Sequence, residues 1–200
     1  MLNAGFTTLE TLKARILPEA AREDTTWDTA LGKLGLAIAG RMEGYCGRKF
    51  DRAVGAVDEF SAWTLSVVVR RYPIETITTV QLRDYTGSLS TCDTPYSHDE
   101  ACGLIDFRAT PGDRTERLVI TYTGGYWLDD GGTMPAGATP LPEDLLELWI
   151  SEVQAHAEAR GTFEAVGLRA QKDADKAKLV NGLSENAIDG LRIYRRFSGE

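Results

Sequence analysis

Basic charge, cysteine and long apolar runs are all scarce in this 200-residue chain, and each scarcity removes a class of function. Lys and Arg number 22 against 30 Asp and Glu, a formal net charge of −8. A protein that grips nucleic acid by displacing counterions from phosphates needs the opposite balance, so DNA can pass nearby without being drawn in. The three cysteines, Cys46, Cys92 and Cys102, form no CxxC pair and read as reduced thiols rather than a disulfide framework. Eighteen consecutive apolar residues occur nowhere, and residues 1–6 lack a basic stretch followed by an apolar one. Neither a spanning helix nor an export signal is expected, nor a membrane partner, and the expected setting is a soluble compartment.

What remains is ordinary globular material, 42% hydrophobic and 26% charged, enough for one full core plus an appendage. Leu9, Leu12 and Ile16 fall on one helical stripe within residues 7–17, Thr7 and Glu10 have capping-box spacing, and Pro18 ends the segment. Trp27, Leu31, Leu34, Ile38, Met42 and Tyr45 recur at steps of three and four, predicting a longer amphipathic helix over residues 25–46. Gly32, Gly35, Gly40 and Gly44 weaken that helix by about 1 kcal/mol each relative to Ala, so it needs close packing on something.

The period then shortens. Residues 53–60, 64–72, 77–83, 103–107 and 117–122 read as strands of a small, mostly antiparallel β region spanning 53–123. Ser61-Ala62-Trp63 is expected to join a hairpin, Thr86-Gly87-Ser88 to turn, and Gly124-Gly125 to end the last strand. Pro142, with Glu143 and Asp144 behind it, opens a third helix over 142–160 whose apolar face carries Leu145, Leu146, Trp149, Ile150, Val153 and Ala157. The fold class is therefore α+β: a small helical bundle of two N-terminal helices and one long late helix, the β region, and an extended C-terminal tail. Residues 1–160 form the core, and 161–200, poor in large apolar groups, are expected to order on a partner.

Constellations for chemistry are missing. Cys92, His98, Asp99, Glu100 and Cys102 have metal-ligand chemistry but poor spacing for a zinc site, and Asp129-Asp130-Gly131-Gly132 lacks the alternating carboxylates and closing Glu of a calcium loop. His156 has no nucleophile or paired carboxylate at helical spacing, and no glycine-rich phosphate loop follows a strand. Neither a metal nor a cofactor is expected, and no catalytic residue is assigned. Arg195-Arg196 differs from an ordinary solvated doublet because Tyr194 and Phe197 flank it, and Arg with aromatics is enriched at protein–protein hot spots.

The order of these features resembles the small head-tail connector (adaptor) proteins of tailed phages. The matching stretches are Tyr45-Cys46-Gly47-Arg48 closing the second helix, Arg71-Tyr72-Pro73-Ile74 opening a strand, Ile120 to Tyr126, the proline-led acidic helix start from Leu141, and Leu191 to Arg196. The resemblance covers roughly residues 7–160 and touches the C-terminus, leaving 161–185 unmatched. It implies a homo-oligomeric ring, usually of twelve copies, docked on the portal protein, extending the DNA channel and meeting a head-closure, stopper or tail component below. It implies no catalysis, a place in the virion neck and assembly in the host cytoplasm. Leu191, Ile193, Tyr194, Arg195, Arg196 and Phe197 are the expected portal interface. Another neck or tail-completion protein is the nearest alternative; a small enzyme or ligand-binding domain built from residues distant in sequence is the alternative from a different class.

Overall fold

The structure is a computed structural model that describes residues 4–159 and 182–196. It is α+β and divides into a helical unit (Met1–Gly47, Leu128–Met134, Leu141–Arg195) and a sheet unit (Arg48–Trp127, Pro135–Pro140, Arg196–Glu200). Sequence alone joins both into one core.

The helical unit contains α1 (Leu9–Ile16), α2 (Asp28–Cys46), α3 (Glu143–Ala159) and α4 (Glu185–Leu191). The Thr8 hydroxyl, not that of Thr7, caps α1 by accepting from Thr11 N at 3.2 Å, while Thr7 is buried. Leu17 is extended, the conformation that clash with the following proline ring favours, and this ends the helix. α2 stops at Gly47, whose left-handed φ of 65° turns its N–H back toward the carbonyls of Glu43 and Gly44. Leu12, Leu31, Ile38, Met42, Leu145, Trp149 and Val153 are fully buried, so the 3.6-residue stripes read from the sequence do face a shared core. Leu146, expected on the apolar face of α3, is only half-buried.

Gly35 is where that core is tightest. A Cβ there would lie 2.1 Å from Ala4 O and 2.9 Å from the Trp149 ring, and Trp149 Nε1 donates to Gly35 O at 3.0 Å. Only glycine admits both neighbours. At Gly32, Gly40 and Gly44 an added Cβ meets nothing within 4 Å.

In the sheet unit, β1 (Ala53–Ser61), β7 (Arg117–Gly124), β3 (Ile74–Arg83) and β4 (Leu89–Thr91) form one antiparallel sheet in the order β1-β7-β3-β4. A second sheet has the order β2-β6-β5, from β2 (Ser66–Val68), β5 (Tyr96–Asp99) and β6 (Leu104–Phe107). β8 (Tyr126–Trp127) and β9 (Thr139–Pro140) add a short parallel pair, so Gly124-Gly125 separates two strands rather than ending the sheet region. Val67, Ile105 and Phe107 of the smaller sheet share one apolar cluster with Val80, Leu118 and Ile120 of the larger.

The expected hairpin at Ser61-Ala62-Trp63 does not form, because β1 and β2 belong to different sheets. Ala62 instead spends its backbone on the loop before β7, donating to Glu116 O at 3.3 Å and accepting from Gly112 N at 3.0 Å. Every residue of β4 and β5 is on the exposed side, and beyond Leu89 and Tyr96 both strands are polar, so no apolar alternation announces them.

Candidate interaction surfaces

The C-terminal segment is held to the helical unit by a polar clasp. Glu152 of α3 is buried and accepts from Ser184 N at 3.1 Å and closely from the Ser184 hydroxyl, which also caps α4 by accepting from Ala187 N at 3.1 Å. Gly182 O accepts from Arg41 Nη1 of α2 at 3.1 Å and lies 3.1 Å from His156 Nε2. Below the clasp Leu183, Ala187 and Leu191 are fully buried. Ser, His and Glu therefore meet here as an anchor: the Ser184 hydroxyl points at the carboxylate, while the imidazole sits against a main-chain carbonyl and 3.8 Å from Glu152, a carboxylate at helical spacing from His156 that the sequence reading passed over.

The six residues expected at a portal interface consequently separate. Leu191 is core, and its carbonyl lies 3.8 Å from Cys46 Sγ. Tyr194 donates its hydroxyl to the Asp144 carboxylate at 2.7 to 2.8 Å, and Arg195 lies 5.8 Å over the Tyr45 ring with its own surface exposed. Ile193 is 76% exposed. Arg196 donates to Val68 O in the sheet unit and sits 6.0 Å from the Phe60 ring. Phe197, and the stretch 160–181 expected to order on a partner, lie outside the described residues.

A second surface was not visible in the sequence. One cross-strand row ends the larger sheet: Ser61, Arg117, Arg83 and Leu89 stand side by side. The loops leaving that row carry Trp63, Leu65 and Tyr85, all exposed, with Arg114 5.2 Å over the Trp63 ring. Both turns are locked. Asp84 accepts from the Thr86 hydroxyl at 2.7 Å and from Ser88 N at 2.9 Å; Asp113 accepts from the Thr115 hydroxyl at 2.6 Å and Thr115 N at 2.7 Å. Hydrogen bonds from these threonine side chains hold both carboxyls below the usual range. The locks are complete above the ordinary carboxylate pKa of about 3.9 and are lost as pH falls through the lower folded values.

Inside the sheet unit a buried polar network aligns the strands. Asp58 accepts from Arg70 N at 2.6 Å and from the Tyr122 hydroxyl at 2.8 Å, and that hydroxyl accepts from Arg71 N at 3.0 Å. Burial, with the Asp58 charge second, pushes the Tyr122 hydroxyl far above its ordinary pKa, so it remains a donor. Arg48 is buried among aromatics, 3.2 Å from the Tyr72 ring centroid and 5.0 Å from that of Phe50, and burial draws its pKa down.

Among the described residues no group of three His, Cys, Asp or Glu side chains could hold a metal ion, and no helix is long and apolar enough to cross a membrane. Cys92 is buried and Cys102 exposed, and His98 lies 3.9 Å from Glu100. Asp129 and Asp130 each accept from the backbone N–H two residues on, at 2.9 Å, which makes a turn of that stretch.

No protein-family model matches the chain, and no curated protein does. Solved structures do. A chain from the neck of an empty gene transfer agent particle, solved with C6 symmetry, superposes with a TM-score of 0.58 at 15% identity, covering 100% of this chain and 94% of that one. A chain from the virion of the native gene transfer agent particle gives the same figures. One from the neck of the native particle, solved with C12 symmetry, gives a TM-score of 0.51 over the same coverage and identity. The chain shares the fold of these gene transfer agent chains.

Proposed function

We propose that this chain is a structural protein of a virion neck: one copy of a homo-oligomeric ring, twelve strong, that joins the portal protein of the head to a head-closure, stopper or tail component and extends the DNA channel. The fold likeness to chains of gene transfer agent necks, complete along this chain, carries the reading. The acidic balance supports it, because a channel that lets DNA slide must not hold phosphates. The protein is non-catalytic in this reading, works without a cofactor, and assembles in the host cytoplasm before residing in the virion.

The portal-facing surface is the C-terminal segment. Ile193 and Arg195 supply its exposed part, with Phe197 beyond; Leu191 and Tyr194 fix it to the helices, and Arg196 completes the basic doublet. Native mass spectrometry of the chain with and without portal tests this. A dodecamer bound to the portal is expected, and failure to form any portal complex overturns the function. Truncation after Asn181 would remove the buried Leu183, Ala187 and Leu191 and unfold the helical unit, so point variants are the cleaner probe. Ile193→Asp with Arg195→Glu should weaken portal binding by at least roughly tenfold, the scale of a hot-spot loss, while circular dichroism stays unchanged. Unaltered binding places the docking surface elsewhere.

A further inference from the structure

We propose that in the assembled ring the segment 182–191 of each copy docks in the groove between α2 and α3 of its neighbour, so that exchanged segments tie one copy to the next. The proposal rests on the ring reading above and adds what joins the copies.

Segment and groove recognise each other by specific chemistry. Leu183, Ala187 and Leu191 are fully buried, and Gly190 lies so close to α3 that a Cβ there would stand 2.9 Å from Leu148 Cδ2. Both oxygens of the buried Glu152 carboxylate are taken by Ser184, one by its N–H and one by its hydroxyl. Arg41 Nη1 and His156 Nε2 converge on Gly182 O, each at 3.1 Å. α4 has seven residues, too few for a helix to hold in water by itself, so it persists only where such a groove receives it.

The connection into this segment is what reaches a second copy. α3 ends at Ala159, three residues beyond His156, and His156 touches Gly182, so the two ends of the connection stand within roughly 15 Å of each other. About five residues would cross that gap. The chain places 22 there, residues 160–181. Connections longer than about 12–15 residues are uncommon in a compact body and usually serve a purpose of their own. Fully extended, this one reaches roughly 70 Å, about twice the width of a body the size of the helical unit, which brings a neighbour's groove within range.

Exchange loses no contact. Every hydrogen bond and every buried side chain of the clasp is remade with the neighbour's α2 and α3, and no groove is left open with Glu152 unpartnered. Segment and groove are different surfaces of one chain, so passing each segment onward is a heterologous contact of the kind that closes into rings. In the free chain the segment fills its own groove. Once copies are gathered side by side on the portal, the neighbour's groove competes at a similar effective concentration, and the exchanged form adds a tether between copies.

Disulfide trapping in the full-length chain reads which copy each segment belongs to. Leu148→Cys puts a thiol in the groove and Gly190→Cys one on the segment, in a Cys102→Ser background because Cys46 and Cys92 are buried. Chains carrying only Leu148→Cys are mixed with chains carrying only Gly190→Cys, assembled on the portal under reducing conditions and then oxidised. Covalent dimers are expected on a denaturing gel, and a ladder of larger multimers when each chain carries both substitutions. The double variant oxidised before assembly should run as a monomer and lose at least roughly tenfold in ring yield. Rings whose mixed chains give no dimer, or a pre-closed chain that assembles at the ordinary yield, overturn the exchange. A second variant needs no disulfide: deleting residues 165–178 leaves 160–164 and 179–181, whose reach of roughly 27 Å closes the gap at home but falls short of a neighbour. Its melting temperature should match the parent's while rings are lost, and rings at the ordinary yield overturn the proposal. Failure of the unaltered chain to bind portal sinks the neck function itself, whereas portal-bound rings without exchange leave that function standing.

Discussion

The helical unit removes hydrocarbon from water around Trp149 and keeps its buried charges in partnered sites: Lys13 on Asp28 at 2.6 Å, Glu152 on Ser184. The sheet unit shares out the burden differently. Its apolar cluster is real, but it also buries the Asp58 carboxylate, the Tyr122 hydroxyl and the Arg48 guanidinium, whose Nε has no hydrogen-bond partner. Apolar packing tolerates many sequences of similar volume, whereas a buried polar network fails if one member is lost. The comparison teaches that stability in the first unit should track volume, and in the second, pairing.

The largest break in that comparison is Trp149→Ala. It empties the centre of the helical unit and removes the hydrogen bond to Gly35 O, at an expected cost of about 3–5 kcal/mol. Urea unfolding followed by circular dichroism measures it. A cost under about 1 kcal/mol would mean that α2 and α3 repack freely, contrary to the close approach at Gly35.

Asp58→Ala is the matching change in the sheet unit, and it deletes very little volume. It strands the Tyr122 hydroxyl and Arg70 N–H without their acceptor, which should cost about 1–3 kcal/mol. Asp58→Asn retains an acceptor and should cost less. Equal losses for the two variants would show that charge on Asp58, rather than hydrogen bonding, holds the strands.

These two changes also mark what the sequence could disclose. Trp149 stands on a helix whose stripe is regular, so its burial was legible from spacing, as were α1, α2 and the five strands with apolar or β-branched content. Asp58 and Tyr122 are 64 positions apart, and nothing local to either names the other. The loop-end surface was hidden for the same reason, since Trp63, Tyr85 and Arg114 come from three separate connections that only strand order gathers. The C-terminal segment misled through composition: three small or medium apolar residues, Leu183, Ala187 and Leu191, suffice to dock a short capped helix on a core built by others. A count of large side chains cannot see that.

The smallest effect separates packing from propensity within α2 itself. Gly40→Ala adds a methyl group where nothing lies within 4 Å and should stabilise the isolated chain by about 0.5–1 kcal/mol through helix propensity alone. Gly35→Ala gains the same propensity but drives its methyl into Ala4 O and the Trp149 ring, so it should be net destabilising by about 1–3 kcal/mol. Calorimetry of the two variants should therefore show melting temperatures displaced in opposite directions, by about 2–4 °C per kcal/mol for a chain of this size. A fall with Gly40→Ala in the isolated chain would place an unseen neighbour against that face of α2. A rise with Gly35→Ala would mean that the residue 4–6 segment yields to α2, and that Trp149, not the backbone contact, sets the spacing of the helices.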